Sequence, residues 1–448
     1  MLLNEREANR ICRQLLSYVQ ADDATVTVLG QTDHHLRFAA NRFTTSGQRD
    51  DVEVTVTVWV DRKKGSVSTN EIEEASLAAA VREAEQIARL SPVDPEYLPS
   101  LGPQRYRSTR QFVGATADSS VTARAGTIHG VISQCEQGET VAAGLHRTRG
   151  MTTCTATKNG NLLYERSSLA TLSVACRTPD GSGSGFCLGS HYDVRKLDSA
   201  RIARRAVEKA VQSRGARAID PGAYTVILEP QAVHDLLLYL QFSLDARSAE
   251  EGRSPFSAPE GKTRVGQSVF DERINLFSDP WHPELPGPAA TPGGIPAQRY
   301  YLVRNGVLEN LTYSRFWAAQ KQKAPSPGPV NTILETSGPR TNLEEMIAST
   351  DRGLLVTRFW YVRYVNPRSL LLTGLTRDGL WFVENGRIQF PVRNLRFNQN
   401  LLEMLAPGNI ELIGASERVS SSEGQGFPSL YPALKVRHFR FTSQSDAI

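Results

Sequence analysis

Tyr224-Thr225-Val226-Ile227-Leu228-Glu229-Pro230-Gln231-Ala232-Val233-His234-Asp235-Leu236 joins two patterns end to end. The apolar run from Tyr224 to Glu229 reads as a buried strand. Pro230 then opens an apolar helix, since its fixed φ suits the first helical position and its missing N–H is one the helix would leave unbonded there. From Gly222 onward strand signals dominate. After Leu244 a Gly- and Pro-rich segment runs to about Gln298, a length that in a compact domain is usually functional or disordered. Hairpin turns follow at Asn305-Gly306, between Tyr300-Tyr301-Leu302-Val303 and Val307-Leu308, then at Asp378-Gly379 and Asn385-Gly386. A break from Lys323 to Pro329 separates the first hairpin from the others.

Toward the amino terminus the periods change. Asn4 and Glu7 have the spacing of a capping box, and Ala8, Ile11, Cys12, Leu15, Leu16 and Val19 form one helical face. Val26 and Val28 begin an alternation that continues from Val52 to Val60, a half-buried strand turned by Asp61-Arg62-Lys63-Lys64-Gly65 into another. Asn70 and Glu73 repeat the capping pattern before a helix through Leu77, Val81, Ala84 and Ala88. Four prolines between Ser91 and Pro103 mark a linker. A second unit then echoes the first. Val121 to Cys135 has helical spacing, and short strands are expected near Thr140–His146, Met151–Thr157 and Ser168–Arg177. The unit closes with a helix capped by Asp198 and ended by Gly215. The expected class is α+β: a two-lobed α/β amino-terminal half (1–98 and 104–216) and a β-rich carboxy-terminal domain (222–448) with antiparallel hairpins.

Bulk composition narrows the function. A chain of 448 residues exceeds one small core, and 40% hydrophobic with 22% charged residues is ordinary for a soluble protein. The 51 basic and 47 acidic residues leave a net charge of +4, too thin an excess for nucleic acid. Arg204-Arg205 beside Glu208 reads as a solvated helix face. No segment approaches the roughly 18 apolar residues of a membrane helix, and Asn4-Glu5-Arg6-Glu7 turns polar too soon for a signal peptide. Cys12, Cys135, Cys154, Cys176 and Cys187 contain no Cys-x-x-Cys pair, so neither a zinc ribbon nor a disulfide framework is expected. A reducing cytoplasm is the expected location.

Longer motifs carry a family resemblance. They are Asn41-Arg42-Phe43 and Gly65-Ser66-Val67-Ser68-Thr69-Asn70 in the first half. In the second they are Asn342-Leu343-Glu344-Glu345-Met346-Ile347, Arg352-Gly353-Leu354-Leu355-Val356-Thr357, Val365-Asn366-Pro367, Glu384-Asn385-Gly386-Arg387-Ile388 and Pro391-Val392-Arg393-Asn394. In this order the chain resembles the TldD/PmbA family of bacterial peptidase proteins, in its TldE-like branch, over nearly its whole length. The resemblance implies that zinc belongs to a TldD-like subunit, held by a His-Glu-x-x-x-His helix and a cysteine near the carboxy terminus. A TldE-like subunit lacks these ligands and pairs with that partner to digest unfolded or peptide substrates.

In this chain Pro230 and Asp235 stand at the histidine positions and Gln231 at the acid, which as an amide cannot take a proton from metal-bound water. Within Arg418-Val419-Ser420-Ser421-Ser422-Glu423-Gly424-Gln425-Gly426, Ser420 stands for the cysteine. All five cysteines lie before residue 188. No catalytic residue and no metal ligand is therefore assigned, and zinc is expected only in the partner. His234 beside Asp235 reads as a packed helix residue. Gly181-Ser182-Gly183-Ser184-Gly185 has the letters of a phosphate loop or nucleophile elbow, yet it lacks a Lys-Ser/Thr and a strand-to-helix context, and reads as a flexible loop. The strand Gly353–Phe359 is an ordinary core strand or a sheet edge that takes up extended peptide. In the second case Leu354, Val356, Thr357 and Arg358 line the groove.

Three functions remain open at this level: a non-catalytic peptidase subunit, a stand-alone or homodimeric hydrolase with a rearranged site around His234, Asp235 or the long loop, and a regulatory binding module.

Overall fold

The structure, a computed structural model, describes residues 1–421 and 428–445. Helix α1 (Glu5–Tyr18) begins with the expected capping box, Glu7 N donating to Asn4 Oδ1 and Asn4 N to Glu7 Oε2, each at 3.0 Å. Strands β1 (Asp23–Ala39), β2 (Arg42–Val60) and β3 (Lys63–Thr69) follow, then helix α2 (Glu74–Leu90). The short α3 (Gly114–Ala117) and α4 (Val121–Gln137) lead into β4 (Val141–Thr157), β5 (Leu162–Arg177), β6 (Ser184–His191) and α5 (Ser199–Gln212).

All six strands form one antiparallel sheet in the order β3-β2-β1-β4-β5-β6. The order is palindromic about the β1–β4 pair, so helix, three strands and helix occur twice. Even-numbered residues of β1 and β4 face the helices. Val26, Val28, Cys154 and Ala156 pack under α1 and α2, whereas Leu36, Phe38 and Ala142 pack under α4 and α5. Each lobe thus keeps its own apolar cluster at one end of a shared sheet. In each, two buried thiols touch: Cys12 Sγ lies 3.5 Å from Cys154 Sγ, and Cys135 Sγ 3.5 Å from Cys176 Sγ.

Three local expectations need correction. The segments Thr140–His146 and Met151–Thr157 belong to one strand of 17 residues. The charged stretch between them stays in register because Arg147 and Arg149 project to the other face, where Arg147 Nε meets Asp33 Oδ1 at 2.7 Å and Arg149 Nη2 meets Oδ2 at 3.1 Å. Asn70 does not cap α2: the helix starts after Glu73 with no side-chain cap, and Thr69 Oγ1 accepts from Glu71 N instead. The glycine stretch from Gly181 is a turn that feeds the edge strand β6, whose glycine spacing sequence periodicity does not register as a strand.

Glycine on the two edge strands has a packing role. A Cβ on Gly65 would stand 2.0 Å from Ala84 O, and one on Gly185 would stand 2.1 Å from Ala206 O, so α2 and α5 ride directly on strand backbone. Gly65→Ala or Gly185→Ala should therefore cost about 1–3 kcal/mol as the helix is displaced. Gly126→Ala, in α4 with nothing within 4 Å of the new carbon, should be neutral or stabilising. Urea midpoints check this, and equal midpoints for all three variants would contradict it.

The carboxy-terminal half opens with β7 (Ala223–Leu228), α6 (Pro230–Ser243) and α7 (Ala246–Glu250). Next come β8 (Ile274–Ser278), β9 (Tyr300–Arg304), β10 (Val307–Leu308), α8 (Arg315–Gln320), β11 (Thr332–Thr336) and α9 (Leu343–Ala348). Strands β12 (Arg352–Val356), β13 (Phe359–Asn366), β14 (Leu371–Thr376), β15 (Leu380–Glu384), β16 (Arg387–Pro391) and β17 (Leu395–Asn400) follow. The described chain ends with α10 (Leu401–Met404), β18 (Ile410–Val419) and β19 (Ser429–Gln444).

Thirteen strands join in one sheet system whose main path is β10-β9-β8-β11-β19-β7-β12-β15-β16. Strand β19 is the hub, bonded to β11, β18, β7 and β17. Two of the three predicted turns make hairpins: Asn305-Gly306 joins β9 to β10, and Asn385-Gly386 joins β15 to β16, all four residues at positive φ. Asp378-Gly379 also has positive φ but makes no hairpin, because β14 pairs with β13 and β17 while β15 pairs with β12 and β16. Helix α6 lies in the largest apolar cluster, its Val233, Leu236, Leu237 and Leu240 packed among Phe256, Phe270, Phe359 and Phe397. No helix among the described residues is long and apolar enough to cross a membrane.

Candidate functional site at the mouth of a buried helix

Strand β7 sits between β19 and β12, and its carboxy-terminal end delivers the chain into α6 with Pro230 at the first turn. Ends of parallel strands that lead into helices are where α/β folds place chemistry. Here the mouth opens on a cavity of about 300 Å³ between the two halves. Glu229, Pro230 and Gln231 form one wall, β6 and α5 a second, and Thr357, Arg358 and Glu417–Val419 a third.

Each residue at the mouth has a bonded role. Gln231 Nε2 donates to Asp235 Oδ1 at 2.9 Å and to Ser420 O at 3.0 Å, fastening the helix to the end of β18. Asp235 Oδ2 accepts from Phe359 N at 2.9 Å. Ser420 Oγ lies 2.5 Å from Ser190 Oγ on β6. His234 points elsewhere: it is buried beside Tyr431, ring centroids 5.9 Å apart, and burial pushes its imidazole down to about 4. Neither ring nitrogen has a hydrogen-bond partner among the described residues.

A catalytic zinc needs three protein donors and an open position. Proline offers no side-chain donor, the Gln231 amide and Asp235 carboxylate are bonded to each other, and Ser420 is tied to Ser190. These residues do not fit zinc. Among the described residues no group of three or more His, Cys, Asp or Glu is arranged to hold a metal ion. Ser420 and Ser421 are described, while Ser422 to Gly426 of the same motif lie outside the described residues.

Of the two readings of Gly353–Phe359, the sheet supports the core strand and not the edge groove. Strand β12 is bonded to β7 on one side and β15 on the other, and Leu354 and Val356 are fully buried. It has no free edge to which a peptide can add. Only Thr357 and Arg358, beyond its end, reach the cavity. Arg358 is itself held by Asp378 at 2.8 Å, with its guanidinium 4.0 Å from the Phe186 ring.

Charge at the site was not legible in the same way. Arg201, Arg205 and Lys209 stand four apart on α5 and all line the cavity. Arg204 and Glu208 do face solvent, but Arg205 is half-buried and shares Glu417 Oε2 with the exposed Arg201, at 3.3 and 2.7 Å. Lys209 Nζ meets Glu229 Oε2 at 2.7 Å, both side chains nearly buried. Arg418 is held by neutral groups, Glu284 O at 2.6 Å and Ser190 Oγ at 3.4 Å, and burial pushes it down to about 10. The spacing of Arg201, Arg205 and Lys209 was the available signal, but sequence alone does not say which face of α5 is covered.

The fold recurs in solved structures. It superposes on TldE from Thermococcus kodakarensis with a TM-score of 0.85 at 18% identity, over 97% of this chain and 99% of that one. A candidate modulator of a DNA gyrase from Thermotoga maritima gives a TM-score of 0.83 at 19% identity, over 97% of this chain and 100% of that one. Sequence profiles of the PmbA/TldA metallopeptidase carboxy-terminal domain and of PmbA/TldA metallopeptidase domain 1 match residues 221–443 and 24–88. The chain belongs to this TldD/PmbA family. A protein named "Metalloprotease" from Methanothermobacter thermautotrophicus is 23% identical over 295 residues, 60% of this chain and 62% of the relative. The match thus spans less than two thirds of that relative's length.

Proposed function

We propose that this chain is the non-catalytic subunit of a TldD/TldE-type metallopeptidase, completing the substrate chamber of a zinc-bearing TldD-like partner that cleaves unfolded or peptide substrates in the cytoplasm. The observation that carries this reading is the hydrogen-bonded closure of the α6 mouth by Gln231, Asp235 and Ser420, where a zinc peptidase needs open donors. Gln231, at the position of the family's acid, cannot accept a proton near neutral pH.

Mixing the purified chain with a TldD-like chain that carries an intact zinc motif tests the reading. A stable heterodimer is expected, with proteolysis that disappears when the partner's metal helix is mutated. Light scattering separates heterodimer from homodimer. Metal-dependent cleavage by the isolated chain would reject the reading and restore the stand-alone hydrolase.

A further inference from the structure

We propose that the cavity at the α6 mouth is a carboxylate-binding pocket that takes the carboxy-terminal end of a peptide whose last side chain is apolar. The proposal rests on the reading above, since it assigns to a non-catalytic mouth the task of holding peptide rather than cutting it.

Three observations support it. The cavity wall carries six cationic side chains, Lys196, Arg201, Arg205, Lys209, Arg358 and Arg418, against the carboxylates of Asp198, Glu229, Glu284 and Glu417 on the wall and of Asp378 paired with Arg358. Positive charge is in excess within a recess, where low-dielectric walls strengthen its field. Second, the existing pairings leave donors in reserve. Arg201 and Arg205 crowd onto one oxygen of Glu417, and Arg418 has no carboxylate within 4 Å among the described residues. A guanidinium fork matches a carboxylate with two parallel hydrogen bonds, and a desolvated one gains most from an incoming anion. Burial disfavours the charge on Arg418, which an arriving carboxylate would relieve. Third, part of the remaining wall is apolar, with Leu188, Leu197, Ile202, Pro230 and Val419 beside the cations and Ser190, His191, Gln231 and Thr357 between them. Its volume of about 300 Å³ suits a terminal residue rather than a folded partner. The amino end of α6, which starts without a side-chain cap, adds the positive end of its dipole at the same wall.

The source of the carboxylate is set by the arms of the test. Calorimetric titration of the full chain compares acetyl-Ala-Ala-Leu as free acid, the same peptide as carboxy-terminal amide, and an amidated peptide with an internal Asp. The free acid should bind at least about tenfold more tightly than either amide, the scale of one hydrogen-bonded charge, and weaken with salt. Arg418→Gln should lose about tenfold. Glu417→Gln frees Arg201 and Arg205 and should tighten binding, a gain that a misfolded variant cannot mimic; melting curves accompany both. Equal binding of acid and amide, no binding at millimolar peptide, preference for the internal Asp, or inorganic phosphate outcompeting the acid would each overturn the proposal. Heterodimer formation is scored separately, so a chain that assembles with its partner but ignores the free acid loses only this inference.

Discussion

Lys209→Met should lower the stability of the fold by about 3–5 kcal/mol, because it strands the Glu229 carboxylate in a nearly buried position. The pair sits where α5 of the amino-terminal half meets the start of α6, at 2.7 Å with 12% and 9% of the side chains exposed. Breaking one partner is costly because the remaining charge keeps its desolvation penalty and loses its counter-charge. The double variant Lys209→Met/Glu229→Gln should recover most of the loss, since a neutral amide tolerates that position far better. Urea unfolding of the two single variants and the double variant forms a closed cycle. Additive losses would mean that the pair is not coupled and that the interface is held by packing alone.

Acid should destabilise the protein strongly through its buried histidines. Burial holds His234 at about 4, and burial with neighbouring Arg124 holds His146 at about 4. An unfolded histidine titrates near 6.5. Between these values the unfolded chain binds a proton that the native chain refuses. The contribution is therefore complete above pH 6.5 and lost as pH falls toward 4. Each histidine accounts for about 3 kcal/mol over that window. His234→Phe keeps a ring against Tyr431 and removes two unpaired nitrogens, so it should be neutral or stabilising at pH 7 and flatten the acid limb. Superimposable pH–stability curves for the variant and the original chain would refute this account of His234.

The junction of strand and helix at Pro230 was legible because proline, a β-branched run and an apolar helix agree with one another at every level. The Asn4 capping box and two Asn-Gly hairpins were legible for the same local reason. What escaped depends on long-range pairing. Strand β19 joins four other strands, yet Ser429 to Val436 is buried on both faces, so the period of two disappears, and Pro432 and Lys435 lie within it. Lys435 is accepted there only because Glu411, 2.8 Å away, and Ser349 O receive its ammonium. The union of two lobes through β1 and β4 was equally hidden, since nothing in either segment names its neighbour across more than a hundred residues.

At the site, sequence showed which ligands are absent but not what replaces them. Gln231 reads as a lost acid, and only the fold reveals it as the clasp between α6 and β18. Thr357 and Arg358 reach the cavity, while Leu354 and Val356 in the same motif are core. Alternation along a strand cannot separate a central strand from an edge, because that depends on its neighbours.

The central claim is that this helix mouth is closed to zinc and peptide cleavage belongs to the partner. Elemental analysis of the isolated chain, saturated with zinc and then passed through a chelating column, tests it most directly. The account predicts a zinc content far below one per chain, unchanged in Asp235→Asn. One tightly held zinc per chain, lost in that variant, would contradict it.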